Sequence, residues 1–267
     1  MMKGDLLFFV FGILPILWLF FSLCLLRLPG RAACPSALAI CAALAVALWG
    51  MTPGETVSAA AEGVLFALWP IILVIVAALI LYKYSIHTGG MEIIKGMLAG
   101  ASTDKRVLAL LLAWGFGGFL EGVAGFGTPV LIPGGILIAM GFPPFAAVVV
   151  CLIANTAPTA FATLGVPLLT LADVTGLNAR TLGFFTALQI APLCLIVPFL
   201  IVCAAGKSVK AIKGVFLITL FSGLAFLLPI LLLTAVAAPE LPTLIGGLLS
   251  IVTIIVSNKL LYRDTVH

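Results

Sequence analysis

Apolar residues run along this chain in long blocks, at 6–26, 32–51, 64–82, 181–205, 215–235 and 243–257, and the charged residues collect between them. A helix needs about 20 apolar residues to cross roughly 30 Å of hydrocarbon, so each block predicts a membrane-spanning helix. The stretch 107–171 is different. It holds a single acidic side chain, Glu121, and no basic one, yet glycines and prolines interrupt it repeatedly. Residues 107–120 read as a short helix, 122–127 as a glycine-rich turn, and 129–140 as a second short helix closed by Gly141, Pro143 and Pro144. At about 1.5 Å per residue each arm reaches about 20 Å, short for a crossing. Residues 107–141 are therefore expected to form a re-entrant hairpin, and 145–171 to cross once with a break at Asn155 to Pro158. Residues 90–101 have the spacing of a short helix lying in the interface, or of an ordinary loop helix.

Basic residues orient these elements, because cytoplasmic loops carry the excess of Lys and Arg. Arg27 and Arg31 put the first loop inside, and Lys83, Lys95, Lys105, Arg106, Lys207, Lys210 and Lys213 follow on the same side. The region 107–171 must then begin inside and finish outside at Asp173, which a hairpin followed by one crossing satisfies. With Lys259 and Arg263 included, this arrangement leaves only Lys3 and Arg180 of the 13 basic residues outside. The N-terminus is expected outside and the C-terminus in the cytoplasm.

Composition agrees with this reading: 64% of the 267 residues are hydrophobic and 8% charged, against about 25% charged in ordinary globular domains. The expected fold class is an all-α integral membrane protein with seven transmembrane helices and one re-entrant hairpin in a single polytopic domain, 1–267, whose standing partner is the lipid bilayer. The net charge of +4 reports topology and not a nucleic-acid partner. Six cysteines lie in or beside apolar runs without C-x-x-C spacing or histidine company, so no metal site is expected. The absence of H-E-x-x-H, G-x-S-x-G and G-x-x-x-x-G-K-[ST] argues against an enzyme and against a nucleotide cofactor.

The candidate chemistry sits at the two breaks. Irregular backbone at membrane depth persists only where protein or a water-filled cavity surrounds it, and interrupted helices present N-termini that attract anions. Thr128 before Pro129 reads as an N-cap hydroxyl with proline at the first helical position. Gly122, Gly125 and Gly127 permit a tight turn and close approach of a ligand, while Asn155, Thr156 and Thr159 offer polar groups at the second break, with Thr163 and Gln189 as further candidates. The competing reading is a pair of proline kinks with packing glycines, for which the Gly118 and Gly122 spacing is suited. Glu121 would be costly to bury in its charged form, which suits a proton carrier. Its alternative role is a carboxylate tied to N–H groups of the tip.

The run FLEGVAGFGTPV, followed by CLIANTAPTAF and GVPLL, resembles the core of the L-lactate permease family. The resemblance implies proton-coupled uptake of L-lactate, D-lactate and glycolate across a bacterial plasma (inner) membrane, and kinship with inverted-repeat ion transporters. It implies a small monocarboxylate and a proton as partners. Members of that family are about twice this length, with a second hairpin and broken helix. The chain therefore resembles an N-terminal half or truncated member, with a complementary C-terminal half or a homo-oligomer as a further expected partner. A carrier of another organic or inorganic anion, and an inactive or assembly-dependent half transporter, are the alternatives.

The charge pattern generates a direct test of topology. Single cysteines introduced at Glu55 and Lys210 should react with impermeant reagents from opposite sides, and one at Gly141 should react from the cytoplasm. Periplasmic labelling of both Glu55 and Lys210 would refute the orientation, and periplasmic labelling at Gly141 would replace the hairpin with a full crossing.

Overall fold

A computed structural model describes residues 2–99, 102–125, 127–236 and 240–261 of the chain, and every regular element among them is helical. The chain forms two compact units, one ending at Leu73 and the other beginning at Val74.

In the first unit, α1 (Met2–Phe20) continues through a π-helical turn, Phe21–Leu25, and is followed by α2 (Gly30–Trp49) and α3 (Pro53–Phe66). The α1–α2 pair is fastened by Trp18, whose indole N–H donates to Ser36 Oγ at 2.8 Å, and by the Phe8 and Trp49 rings at 5.8 Å. Thr52 starts α3 with a capping box: its hydroxyl oxygen accepts from the Glu55 N–H, and its own N–H donates to the Glu55 carboxylate. These bonds from the Thr52 N–H and hydroxyl hold the Glu55 carboxyl below the usual carboxylate range.

The apolar block 64–82 does not form one helix. Trp69 leaves helical geometry at φ −139° and ψ 111°, as expected of a residue preceding proline, whose ring disfavours the α region before it. The helix resumes as α4 (Leu73–His87), and α5 (Gly90–Ala99) occupies the place expected for the short loop or interface helix.

The second unit is built around α6 (Lys105–Val123), which contains a π-helical stretch, Leu110–Phe116. Leu110, Leu111, Leu112 and Trp114 are fully buried in it. Around α6 pack α7 (Thr128–Ala139), α8 (Pro144–Asn155), α9 (Ala162–Thr175), α10 (Ala179–Gly206), α11 (Phe216–Val236) and α12 (Pro242–Leu261). Among the described residues seven helices are long and apolar enough to cross a membrane, the number expected, and the chain is an all-α integral membrane protein. Their membership differs at two places, one being the expected span 145–171, which divides into a short helix ending at Asn155 and the apolar stretch Pro158–Thr175. Block 64–82 drops out at Trp69, and Lys105–Val123 enters with 19 residues where a shorter hairpin arm was expected.

Glycines let α6 and α12 touch backbone to backbone. A Cβ on Gly247 would lie 2.4 Å from the Phe119 nitrogen, one on Gly122 would lie 2.7 Å from the Leu244 nitrogen, and one on Gly115 would meet Ile251 Cγ1 at 2.9 Å. Numbering rises along α6 as it falls along α12, so the two helices run antiparallel. The Phe226 ring of α11 fits against Gly118, where a Cβ would approach it to 2.6 Å, and stacks on Trp114 at 4.7 Å. The Ser222 carbonyl accepts from the Trp114 indole at 3.3 Å and from the Ser250 hydroxyl at 3.2 Å, joining all three helices by hydrogen bonds. With little hydrophobic drive between helices in lipid, close packing and such bonds supply the association.

Both ends of this unit are tied. Arg106 donates to the carbonyls of Ala211 and Lys213 at 2.6 and 3.0 Å and pairs with Asp104. Burial opposes ionisation of Asp104, but the Arg106 side chain and backbone N–H outweigh it and hold the carboxyl below its ordinary range. At the other end, the Arg180 guanidinium donates to the Ala235 carbonyl at 2.7 Å.

The seam predicts a sharp contrast between glycines. Gly247→Val should lower the thermal midpoint of the purified protein in detergent, with an overpacking cost of about 1–3 kcal/mol. Gly135→Ala, at a helical position with no atom within 4 Å, should leave the midpoint unchanged or raise it. Equal midpoints for Gly247→Val and the parent would refute the seam.

Candidate functional site

The glycine-rich turn closes upon itself. After Val123 the N–H groups of Ala124 and Gly125 both donate to the Leu120 carbonyl, and Gly125 and Gly127 take φ values of +54° and +89°. Gly127, not Thr128, is the N-cap of α7, and Thr128 is already helical. Its hydroxyl turns back to donate to the Gly125 carbonyl at 2.7 Å, beside the Thr128 N–H at 3.0 Å. The N–H groups of Val130 and Leu131 both donate to the Gly127 carbonyl, and Pro129 has none to give. The expected open N-terminus is therefore largely satisfied by its own turn, because left-handed Gly127 brings its carbonyl under the first helical N–H groups.

The second break is longer than the sequence suggests. Helix α8 ends at Asn155, a 3-10 turn spans Pro158–Phe161, and Thr163, Leu164 and Gly165 follow with φ of 46°, 55° and 79°. Consecutive left-handed residues that include Thr and Leu store backbone strain and persist only where surrounding packing demands them. Thr163 is buried, and its hydroxyl lies against Gly125, where a Cβ would come within 2.1 Å of Thr163 Oγ1. The two breaks thus meet directly, at a residue with no side chain.

One turn before Gly125, Glu121 is 2% exposed, and the Asn155 side chain lies beside its carboxyl. Glu121 Oε2 and Asn155 Oδ1 are buried without a hydrogen-bond partner among the described residues, and Thr243 Oγ1 at the head of α12 is the third such atom. The other predicted residues are placed differently. Gly122 faces the backbone of α12 in the packing seam, so helix packing occupies the space expected for a ligand. The exposed Thr156 and Thr159 donate their hydroxyls to the carbonyls of Ile153 and Asn155, as threonines in helices commonly do. Gly127 and Gln189 are exposed. Thr243 escaped sequence reasoning because it stands more than 120 positions from Glu121 in an apolar block, and nothing in that block marks its hydroxyl as different from others.

A family model for L-lactate permease matches residues 8–266. The chain belongs to the L-lactate permease family. An L-lactate permease of Streptococcus iniae is 46% identical over 93% of this chain and 53% of its own length. A glycolate permease of Escherichia coli K12 is 37% identical over 91% of the chain and 43% of its own length, and an L-lactate permease of the same strain is 36% identical over 89% and 43%. The chain spans about half the length of these relatives. No solved structure matches it.

The junction of the breaks yields a mutational test in a complete transporter that contains this half, read by substrate uptake. Asn155→Ala removes the neighbour of a buried carboxyl and should weaken uptake by about 1–3 kcal/mol in apparent substrate affinity. Gly125→Leu should abolish uptake while leaving the protein in the membrane, because any Cβ collides with Thr163 Oγ1. Normal uptake in both variants would reduce the breaks to structural kinks.

Proposed function

We propose that this chain forms part of a secondary carrier for L-lactate and related 2-hydroxy monocarboxylates, D-lactate and glycolate among them, in the bacterial plasma membrane. Uptake is coupled to protons, the N-terminus lies outside, the C-terminus lies in the cytoplasm, and residues 107–141 form a re-entrant hairpin. The observation that carries this reading is the burial of Glu121 beside Asn155, where two interrupted helices of one bundle meet. Family membership and the names of relatives that are lactate and glycolate permeases support the substrate class. The substrate carboxylate sits near the turn of Gly125, Gly127 and Thr128 and the end of α8 at Asn155 and Thr156, where the exposed Gly127 and Thr156 border the breaks, and Thr159 lies on the same break. A proton on Glu121 offsets the anion's charge during passage, since an uncompensated buried charge is costly.

A second reading is favoured by one specific observation. Because the chain spans about half the length of its relatives, transport depends on a complementary half or on a second copy of the chain. Vesicles holding the chain alone and vesicles holding it with a candidate complementary half separate the two readings, with lactate-dependent proton uptake as the signal.

In the transporting assembly, Glu121→Gln preserves shape while removing the titratable group. Lactate exchange should survive at least in part, and accumulation driven by a pH gradient should fall to the level of passive equilibration. Parent-like accumulation would remove Glu121 from the coupling step.

A further inference from the structure

We propose that Glu121, Asn155 and Thr243 together form a binding site for a monovalent alkali cation, sodium. The inference rests on the reading of Glu121 as the coupling group and extends it to a second ion. Glu121 Oε2, Asn155 Oδ1 and Thr243 Oγ1 are the buried side-chain atoms without a hydrogen-bond partner among the described residues, and all three are oxygens. Leaving each so is costly in a dry interior. Glu121 is 2% and Thr243 0% exposed.

Their placement follows from the packing already described. The Asn155 side chain neighbours the Glu121 carboxyl. Gly122 rests on the backbone nitrogen of Leu244, the residue after Thr243, which brings the head of α12 against the turn of α6 that carries Glu121. The 3-10 turn Pro158–Phe161 packs on both helices.

A carboxylate, an amide carbonyl and a hydroxyl are hard oxygen ligands. A proton on Glu121 satisfies at most two of these oxygens, the one that carries it and the one that accepts it, whereas a cation can draw on all three. With one formal negative charge in the set, a monovalent ion neutralises it, while a divalent ion would leave a positive charge buried in low dielectric. A substrate carboxylate would place a second negative charge beside Glu121, so the site suits a cation better than the anion. Sodium and a proton on Glu121 exclude each other. Charged and titratable groups on the surrounding elements are Lys105 and Arg106 at the start of α6, Cys151 on α8, Asp173 near the end of α9, Lys259 near the end of α12 and Glu240 before α12, with none on α7.

The test is a titration of the chain in nanodiscs with sodium chloride at constant ionic strength, balanced with choline chloride, read by 23Na relaxation and by Trp fluorescence. Saturable sodium binding is expected in the parent and in Thr243→Ser. It should weaken about tenfold or more in Thr243→Val and in Asn155→Leu, and be lost in Glu121→Gln, each variant retaining the parent's thermal midpoint. No saturable signal in the parent, or equal binding in Glu121→Gln, overturns the site. Lactate uptake in sodium-free vesicles separates this inference from the carrier reading. Proton-driven uptake by the transporting assembly with no sodium binding sinks the cation site alone, whereas sodium binding without lactate uptake by that assembly under any gradient sinks the carrier reading alone.

Discussion

The close approach of α6 to α12 is the contact on which the second unit depends. Gly115 and Gly122 on one helix and Gly247 on the other bring backbone against backbone at distances no Cβ would tolerate. Phe226 then fills the hollow beside Gly118, and Trp114 and Ser250 both bond the Ser222 carbonyl. Lipid tails are as apolar as leucine, so packing density and these few hydrogen bonds decide which helix faces which. Without that contact α6, whose leucines and tryptophan are fully buried, would lose its cover.

That cover makes irregular backbone tolerable. Polar groups of a broken helix need partners where water is scarce, and here the breaks provide partners locally. Thr128 turns back on Gly125, the first amides of α7 close on Gly127, and Thr156 and Thr159 bond the turns that precede them. Among the buried side-chain nitrogen and oxygen atoms of the described residues, those left without a partner belong to Glu121, Asn155 and Thr243. The left-handed run through Thr163 and Leu164 stores strain next to the same place.

Much of this was readable from residue order, since hydrophobic runs and their glycine and proline punctuation act locally. Membrane character, the all-helical class of the described residues, and the interruptions near Gly125 and after Asn155 follow from which residues stand beside which. Trp69 shows the limit of counting apolar residues: a 19-residue run, 64–82, is broken by geometry at one residue before a proline. Thr128 shows another limit, because a threonine before proline is a good cap until left-handed Gly127 takes the position and frees the hydroxyl to bond backward.

Partner choice across long separations was decided only in three dimensions. The Gly118 and Gly122 spacing announces a helix contact, but many apolar helices could answer it; that Gly247 and Leu244 do so depends on matched surfaces more than 100 positions away. The meeting of Gly125 with Thr163, and the placing of Thr243 at the head of α12 against the turn of Glu121, have the same origin. Hydrophobicity places a residue in the bilayer without specifying its neighbour, whereas a site for an ion needs particular oxygens at particular distances, and those distances exist only once the helices are packed.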